Sequence, residues 1–140
     1  MYFDFEEALK FNRLKQTPWT PAISLVIGAN EATNMIMEEG IDNVYKRHKL
    51  NSKMVIKGIK NLGLSMFPKD EKYASPTVNT INAPNISRDI VSKLKEKNII
   101  VSGGQGHLGH DTFRIGTMGY VTEKDVAALL YMIKKILIKL

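Results

Sequence analysis

The feature that most constrains the fold is the alternation of long amphipathic segments with short, strand-like runs. Apolar residues recur at helical spacing over four segments, at 21–38, 41–61, 87–97 and 123–138. Apolar or β-branched runs predict strands near 64–67, 76–82, 99–101 and 111–115. Because strands adjoin in pairs while helices stand apart, we predict an α+β two-layer sandwich, with a small, mostly antiparallel sheet of three to four strands covered by helices.

Short-range signals predict where the helices begin. Thr20 is predicted to be the N-cap of the first long helix, with Pro21 at the first helical position, where its missing N–H costs nothing. Ser87 is predicted to cap the third helix. Thr122 is predicted to cap the last, with Asp125 as its capping-box partner. His48 lies on the inner stripe of the second helix, which favours a structural role.

Composition excludes several classes of protein. The chain has no cysteine, which rules out a disulfide framework and thiolate zinc sites. No apolar run approaches the ~20 residues of a membrane span, and the N-terminus carries acids where a signal peptide needs an apolar core. We therefore expect a cytoplasmic protein with no membrane partner. The 20 Lys+Arg against 14 Asp+Glu are scattered over helix faces, so we expect no nucleic-acid partner.

A glycine-rich loop at 104–109 matches the pattern G-x-G-x-x-G. A dinucleotide site requires this loop to open a helix, whereas here a strand-like run follows it. Two interpretations stay open: a loop that a ligand approaches closely, together with Ser102 and Gly103, or a plain connection between strands. His107 and His110 have only Asp111 nearby as a further ligand, so we predict no metal site.

Arg114 and the Thr17–Thr20 segment are the other candidates for binding. Arg114 lies in a short strand between Phe113 and Ile115, so alternation places it on the face opposite the core, toward the loop at 102–109. It is either a surface arginine paired with an acid or a fork for a carboxylate or phosphate ligand. Thr17 and Thr20 form either an anion cradle or a capping motif with Trp19 packed beneath it.

Groups for independent catalysis are missing. No serine lies in a nucleophile elbow, no carboxylates form a catalytic pair, and no lysine is marked as activated. The residues predict a binding part of a site and no catalytic residue.

Five segments carry a resemblance to a known family: TPWTPAISL (17–25), MEEGIDNVYKRH (37–48), SPTV (75–78), SGGQG (102–106) and FRIGTMGYVT (113–122). In this order and spacing they resemble the C-terminal part of class V pyridoxal-phosphate aminotransferases, the serine–pyruvate/alanine–glyoxylate branch. The resemblance implies that 1–16 is the remnant of a large-domain end or a linker and that 17–140 is the small C-terminal domain of a fold-type I enzyme.

The resemblance also implies roles for individual residues. The arginine of the Arg-Ile-Gly motif binds the substrate α-carboxylate in that family, which corresponds to Arg114. The glycine loop lies near the substrate, which corresponds to Gly103 and Gly104, with Gly106 beside them. The Thr-Pro segment reaches the cofactor phosphate of a neighbouring subunit, which corresponds to Thr17 or Thr20.

The chain departs from the family pattern because the region of the cofactor-binding lysine is absent. Pyridoxal phosphate is therefore expected only in the complete enzyme, acting on a small amino acid and a keto acid, and the isolated chain is predicted to be inactive. We expect a homo-oligomer or association with a missing N-terminal half. Exposed apolar patches would mediate it, around Trp19, Ile23 and the aromatic residues at 2, 3, 5 and 11. The alternative is a non-enzymatic α+β module that binds an anionic metabolite or a partner protein.

Overall fold

A four-stranded sheet and the helices beside it organise most of the chain in a computed structural model, which describes residues 3–140. The elements are α1 (Phe5–Arg13), α2 (Ile23–Glu39), α3 (Ile41–Asn61), β1 (Ser65–Met66), β2 (Val78–Asn82), α4 (Ser87–Lys95), β3 (Ser102–Gly103), β4 (Thr112–Gly116) and α5 (Glu123–Leu137). Short 3-10 turns lie at Glu71–Tyr73 and Gly106–Leu108. The chain divides into two compact units, Met1–Ile41 and Asp42–Leu140.

The sheet of the second unit has the order β1-β2-β4-β3, and every neighbouring pair is antiparallel. This arrangement confirms the predicted α+β class. The predicted strand at 99–101 is wrong, since β3 begins at Ser102. The Ile99 N–H donates to the carbonyl of Leu94 (3.0 Å), so Ile99 belongs to the turn that follows α4 and does not pair in the sheet.

One face of the sheet carries the hydrophobic core. Ile81, Phe113 and Ile115 project from it and are buried against apolar side chains of three helices, namely Val55 and Ile59 of α3, Ile90 and Leu94 of α4, and Val126, Leu129, Ile133 and Ile136 of α5. Because side chains alternate along a strand, Arg114 and its cross-strand neighbour Thr80 project from the opposite face.

The sequence predicted the N-cap residue correctly for one helix, α5, and wrongly for two, α2 and α4. Thr122 and Asp125 form the predicted capping box, and the pKa of Asp125 is lowered because the Thr122 hydroxyl and backbone N–H donate to its carboxylate. Thr20 does not cap α2. Ala22 occupies the N-cap without a side-chain hydrogen bond, because the Ile23 N–H bonds to the Pro21 carbonyl in a turn before the helix. Ser87 is the first helical residue of α4 and follows Ile86 as N-cap.

The first unit leaves much apolar surface exposed. No residue of α2 is buried, although the helix carries Ile23, Leu25, Val26 and Ile27 in its first turns, each more than half exposed. Phe3 and Phe5 are 88% and 86% exposed, whereas Phe11 and Trp19 are half-buried. Tyr2 lies outside the described residues. Within residues 3–140, no helix combines the length and apolar character that crossing a bilayer requires.

Candidate functional site

Arg114 lies in the middle of β4, on the sheet face opposite the core. Its register partners are Thr80 of β2 and Ser102 of β3, so two hydroxyl-bearing residues flank the arginine across the sheet. The guanidinium Nε donates to the carbonyl oxygen of Gly103 at 3.1 Å. The Arg114 side chain therefore contacts the start of the glycine loop, which confirms its predicted direction.

The rest of the Arg114 guanidinium is available to a ligand. Its two terminal nitrogens make no hydrogen bond or ion pair with any residue of the described part of the chain, and the side chain is only half-buried. A guanidinium carries five N–H donors in a planar fork, and only one is used here. The fork can therefore donate two parallel hydrogen bonds to a carboxylate or a phosphate.

The glycine loop is held in one shape by its own backbone. The Gly104 N–H donates to the Thr112 carbonyl (2.9 Å), and the Thr112 hydroxyl donates to the Leu108 carbonyl (3.0 Å). A 3-10 turn at Gly106–Leu108 follows, with φ of +55° at Gly106, a left-handed conformation that favours glycine. The loop is thus a folded turn beside the arginine.

Gly104 is the position in this loop where a side chain would collide with neighbouring atoms. A Cβ there would collide with the Leu108 carbonyl oxygen and the Thr112 hydroxyl, whereas a Cβ at Gly103 would meet nothing within 4 Å. We expect Gly104→Ala to lower the free energy of unfolding by about 1–3 kcal/mol, the usual cost of overpacking. Gly103→Ala is the matched control and should change it by less than about 0.5 kcal/mol. Urea unfolding of both variants measures the difference, and equal losses would contradict the predicted collision.

A second set of contacts ties the loop to α4, and the sequence did not indicate them. The Ser87 hydroxyl donates to the His110 carbonyl (2.7 Å), and an Arg88 terminal nitrogen lies 2.9 Å from His110 Nε2. Ser87 is buried, a rare environment for a serine unless it is hydrogen-bonded. His110 is therefore part of the loop anchor. Within residues 3–140, no group of three or more acidic or histidine side chains is arranged to hold a metal ion.

The segment after β4 is bound to α3. An Arg47 terminal nitrogen donates to the Gly119 carbonyl (2.6 Å), and Asn51 Nδ2 donates to the Val121 carbonyl (2.8 Å). Asn51 and the adjacent Ser52 are buried on an otherwise apolar helix face, and the Ser52 hydroxyl donates to Asn79 Oδ1 of β2 (3.0 Å). These polar residues at inward helical positions are the signal that the sequence interpretation missed.

Thr17 and Thr20 lie in the first unit, in the segment between α1 and α2. Both are exposed, and neither hydroxyl makes a hydrogen bond with another residue in the described part of the chain. Their hydroxyl groups are therefore available as donors, although Thr20 is not the predicted cap.

The chain was compared with known proteins. The aminotransferase class-V family matches residues 6–129. An uncharacterized aminotransferase of Methanocaldococcus jannaschii is 39% identical over 125 residues, which is 86% of this chain and 32% of the relative. Serine–glyoxylate aminotransferase of Arabidopsis thaliana is 30% identical over 98% of this chain and 35% of its own length. The crystal structure of ureidoglycine–glyoxylate aminotransferase from Bacillus subtilis superposes with a TM-score of 0.85 at 26% identity, covering 99% of this chain and 37% of that one.

The antiparallel sheet with helices packed on one face therefore matches a part of the aminotransferase fold. The chain belongs to the class-V aminotransferase family, as the five sequence segments indicated. It spans about a third of the length of the relatives that it matches.

Proposed function

We propose that this chain forms the substrate-binding part of a pyridoxal-phosphate-dependent aminotransferase. The complete enzyme would move an amino group between a small amino acid and a 2-keto acid. The observation that carries the proposal is the half-buried Arg114 fork beside the Gly103–Gly104 loop, in a chain of the class-V family. Membership in this family supports the reaction class, and the arginine supports binding of a carboxylate, which both substrates have.

Arg114 binds the substrate α-carboxylate in this proposal. The Nε–Gly103 hydrogen bond fixes the plane of the guanidinium, so its outer edge presents two donors in a constant direction. At Gly103 the space of a side chain is open, so the substrate can approach its backbone closely, and Gly104 lets the loop fold tightly beside it. Thr80 and Ser102 add hydroxyl donors on the same sheet face. Orientation of the substrate by such a fork lowers the barrier by restricting its motion before reaction.

The residues present fit one end of the proposed cofactor. The exposed hydroxyls of Thr17 and Thr20 lack partners in the described part of the chain and suit a phosphate group. Pyridoxal phosphate acts as an electron sink when bound. This chain contains no lysine in the family's cofactor-binding motif, so the groups that hold the ring and move protons come from residues beyond these 140. Taken alone, the 140 residues are accordingly inactive.

The exposed apolar surface of the first unit supports assembly with further protein. Val26, Ile27, Met37 and the two phenylalanines at 3 and 5 expose large apolar side chains that would normally be covered. We propose that α2 and the segment before it pack against the large domain of an aminotransferase or against a second copy of this chain. The same surface then brings Thr17 and Thr20 to a cofactor held elsewhere.

A chimeric enzyme tests this function. Residues 1–140 replace the matching segment of the Arabidopsis serine–glyoxylate aminotransferase, of which they cover 35%. We expect the chimera to transfer the amino group of serine to glyoxylate, and the 140-residue chain alone to show no transfer when mixed with pyridoxal phosphate. A coupled assay that follows keto-acid formation measures the activity of the chimera and of the 140-residue chain.

A Val26→Asp variant of the chimera serves as the assembly control. It places a charge on the apolar face of α2, so we expect it to lose activity together with oligomeric state, as judged by light scattering. A chimera that folds and binds pyridoxal phosphate but transfers no amino group would overturn the proposal. Transfer by the 140-residue chain alone would overturn its dependence on the large domain.

A further inference from the structure

A cationic groove lies between α4 and α5, and the proposed transamination does not use it. The groove has a volume of about 450 Å³ and is lined by lysines from both helix ends, by Glu96, and by the side chains of Met132 and Ile136. The lysines are Lys93, Lys97, Lys135 and Lys139. This volume is within the range of about 300–1,000 Å³ that small-molecule sites occupy.

The four lysines of this groove are clustered, unlike the lysines scattered over other helix faces. Lys93 and Lys97 are four residues apart, and so are Lys135 and Lys139. The first lysine of each pair lies in the last turn of α4 or α5, and the second lies just beyond the end of that helix. Like charges repel one another, and here two such pairs, from distant parts of the chain, line one groove. In the described part of the chain, none of the four ammonium groups forms an ion pair with a carboxylate.

Simpler explanations account for part of this charge. Lysines near a helix C-terminus interact favourably with the helix dipole, and α4 and α5 both have basic residues in their last turns. Lys135 also lies 4.7 Å from the centre of the Tyr131 ring. The dipole explains lysines near the helix ends, but it does not explain why four converge on one cavity, nor the apolar floor made by Met132 and Ile136.

We propose that the groove binds an organic polyphosphate of the nucleoside di- or triphosphate class. Four ammonium groups match a ligand with several negative charges, because lysine acts as a point charge toward phosphate. The floor of Met132 and Ile136 would contact an apolar or aromatic moiety attached to it. A carboxylate-bearing amino acid would meet far more positive charge than it can neutralise.

The test uses the 140-residue chain and three probes: ATP, inorganic triphosphate and adenosine, titrated calorimetrically in low salt. We expect ATP to bind most tightly, triphosphate to bind several-fold more weakly, and adenosine to bind at least about tenfold more weakly. ATP binding should weaken as salt is raised, because exposed charges are screened. Equal affinities for ATP and triphosphate would overturn the role of the apolar floor, and tight adenosine binding would overturn the role of the lysines.

Matched variants place the binding in this groove. Lys93→Gln with Lys135→Gln should weaken ATP binding by about three- to tenfold, whereas Glu96→Gln should strengthen it by about two- to fivefold. The control is Lys53→Gln with Lys57→Gln, which removes the same number of positive charges from a groove on α3, where Lys60 pairs with Glu71. Equal weakening in the control pair would mean that only net charge attracts ATP, and this outcome would overturn the proposed site.

Discussion

Replacing Arg114 by alanine in the active chimera is expected to lower kcat/KM for serine by about tenfold to a few hundredfold. The estimate follows from losing a charged hydrogen-bonded fork worth about 1.5–3 kcal/mol, with about 1.4 kcal/mol for each factor of ten. The two terminal nitrogens have no partner within residues 3–140, so the substrate carboxylate is the group that would lose its contacts.

Lysine at this position should not restore the activity. An ammonium group cannot donate two parallel hydrogen bonds in one plane, and it also loses the Nε contact to the Gly103 carbonyl. We expect Arg114→Lys to retain less than about a tenth of the wild-type kcat/KM. The loss should be largest for amino acids and nearly absent for amine donors without a carboxylate, which a merely structural role would not produce.

Arg13→Ala is the matched control for this experiment. Arg13 is an exposed arginine in the last turn of α1, and its replacement removes the same charge from a helix of the first unit. Full activity of this variant together with strong loss at Arg114 would support the assignment. If Arg114→Ala and Arg114→Lys both kept wild-type kcat/KM for serine, Arg114 would be a surface residue of the sheet and the proposed substrate contact would be wrong.

Phe113→Ala is expected to have the largest effect on stability. Phe113 is fully buried in the core, on the sheet face opposite Arg114, and it pairs with buried Ile81 of β2. Removing a buried phenylalanine side chain costs about 3–5 kcal/mol through lost transfer free energy and the cavity left behind. Since small domains are stable by only about 5–15 kcal/mol, the variant should be partly unfolded near room temperature or unfold in low urea.

Two companion variants separate this packing effect from the loss of an aromatic ring as such. Phe113→Leu keeps most of the volume and should cost less than half as much as alanine, because cores tolerate conservative apolar changes. Phe5→Ala removes the same side chain from a position that is 86% exposed and should leave the unfolding free energy of the second unit unchanged. Circular dichroism during urea unfolding measures all three. Equal midpoints for Phe113→Ala and wild type would contradict the description of the core.

Local pattern predicted most of the fold. The helices at 41–61, 87–97 and 123–138 correspond closely to α3, α4 and α5, because amphipathic periodicity reports the face that the core will bury. The capping box at Thr122 and Asp125 was correct for a similar reason, since its hydrogen bonds join residues within one turn. The strand at 99–101 was misplaced because a helix-ending turn and a short buried strand have the same apolar composition.

The candidate site was predictable in its members and in the direction of Arg114, but not in its contacts. The sequence singled out Arg114 from its apolar neighbours and Gly103–Gly104 from the glycine cluster, and strand alternation predicted that Arg114 faces this loop. Their contact exists because β3 pairs with β4 in the register that sets Gly103 beside Phe113 and Ser102 beside Arg114. Ser87, Arg88 and Asn51 were missed, since their partners are far along the chain.

The sequence by itself determined the features that depend on residues close together in the chain, and the tertiary structure decided those that depend on distant residues. Hydrophobic periodicity, the capping box at Thr122 and Asp125 and the five family segments determined the helices, the fold class and the aminotransferase resemblance, because each signal is read within a short stretch of chain. Only the tertiary structure decided which donors of Arg114 are free and which glycine cannot accept a side chain. It also decided that two lysine pairs share one groove. Such properties depend on strand register and helix packing, which bring together residues that no local pattern connects.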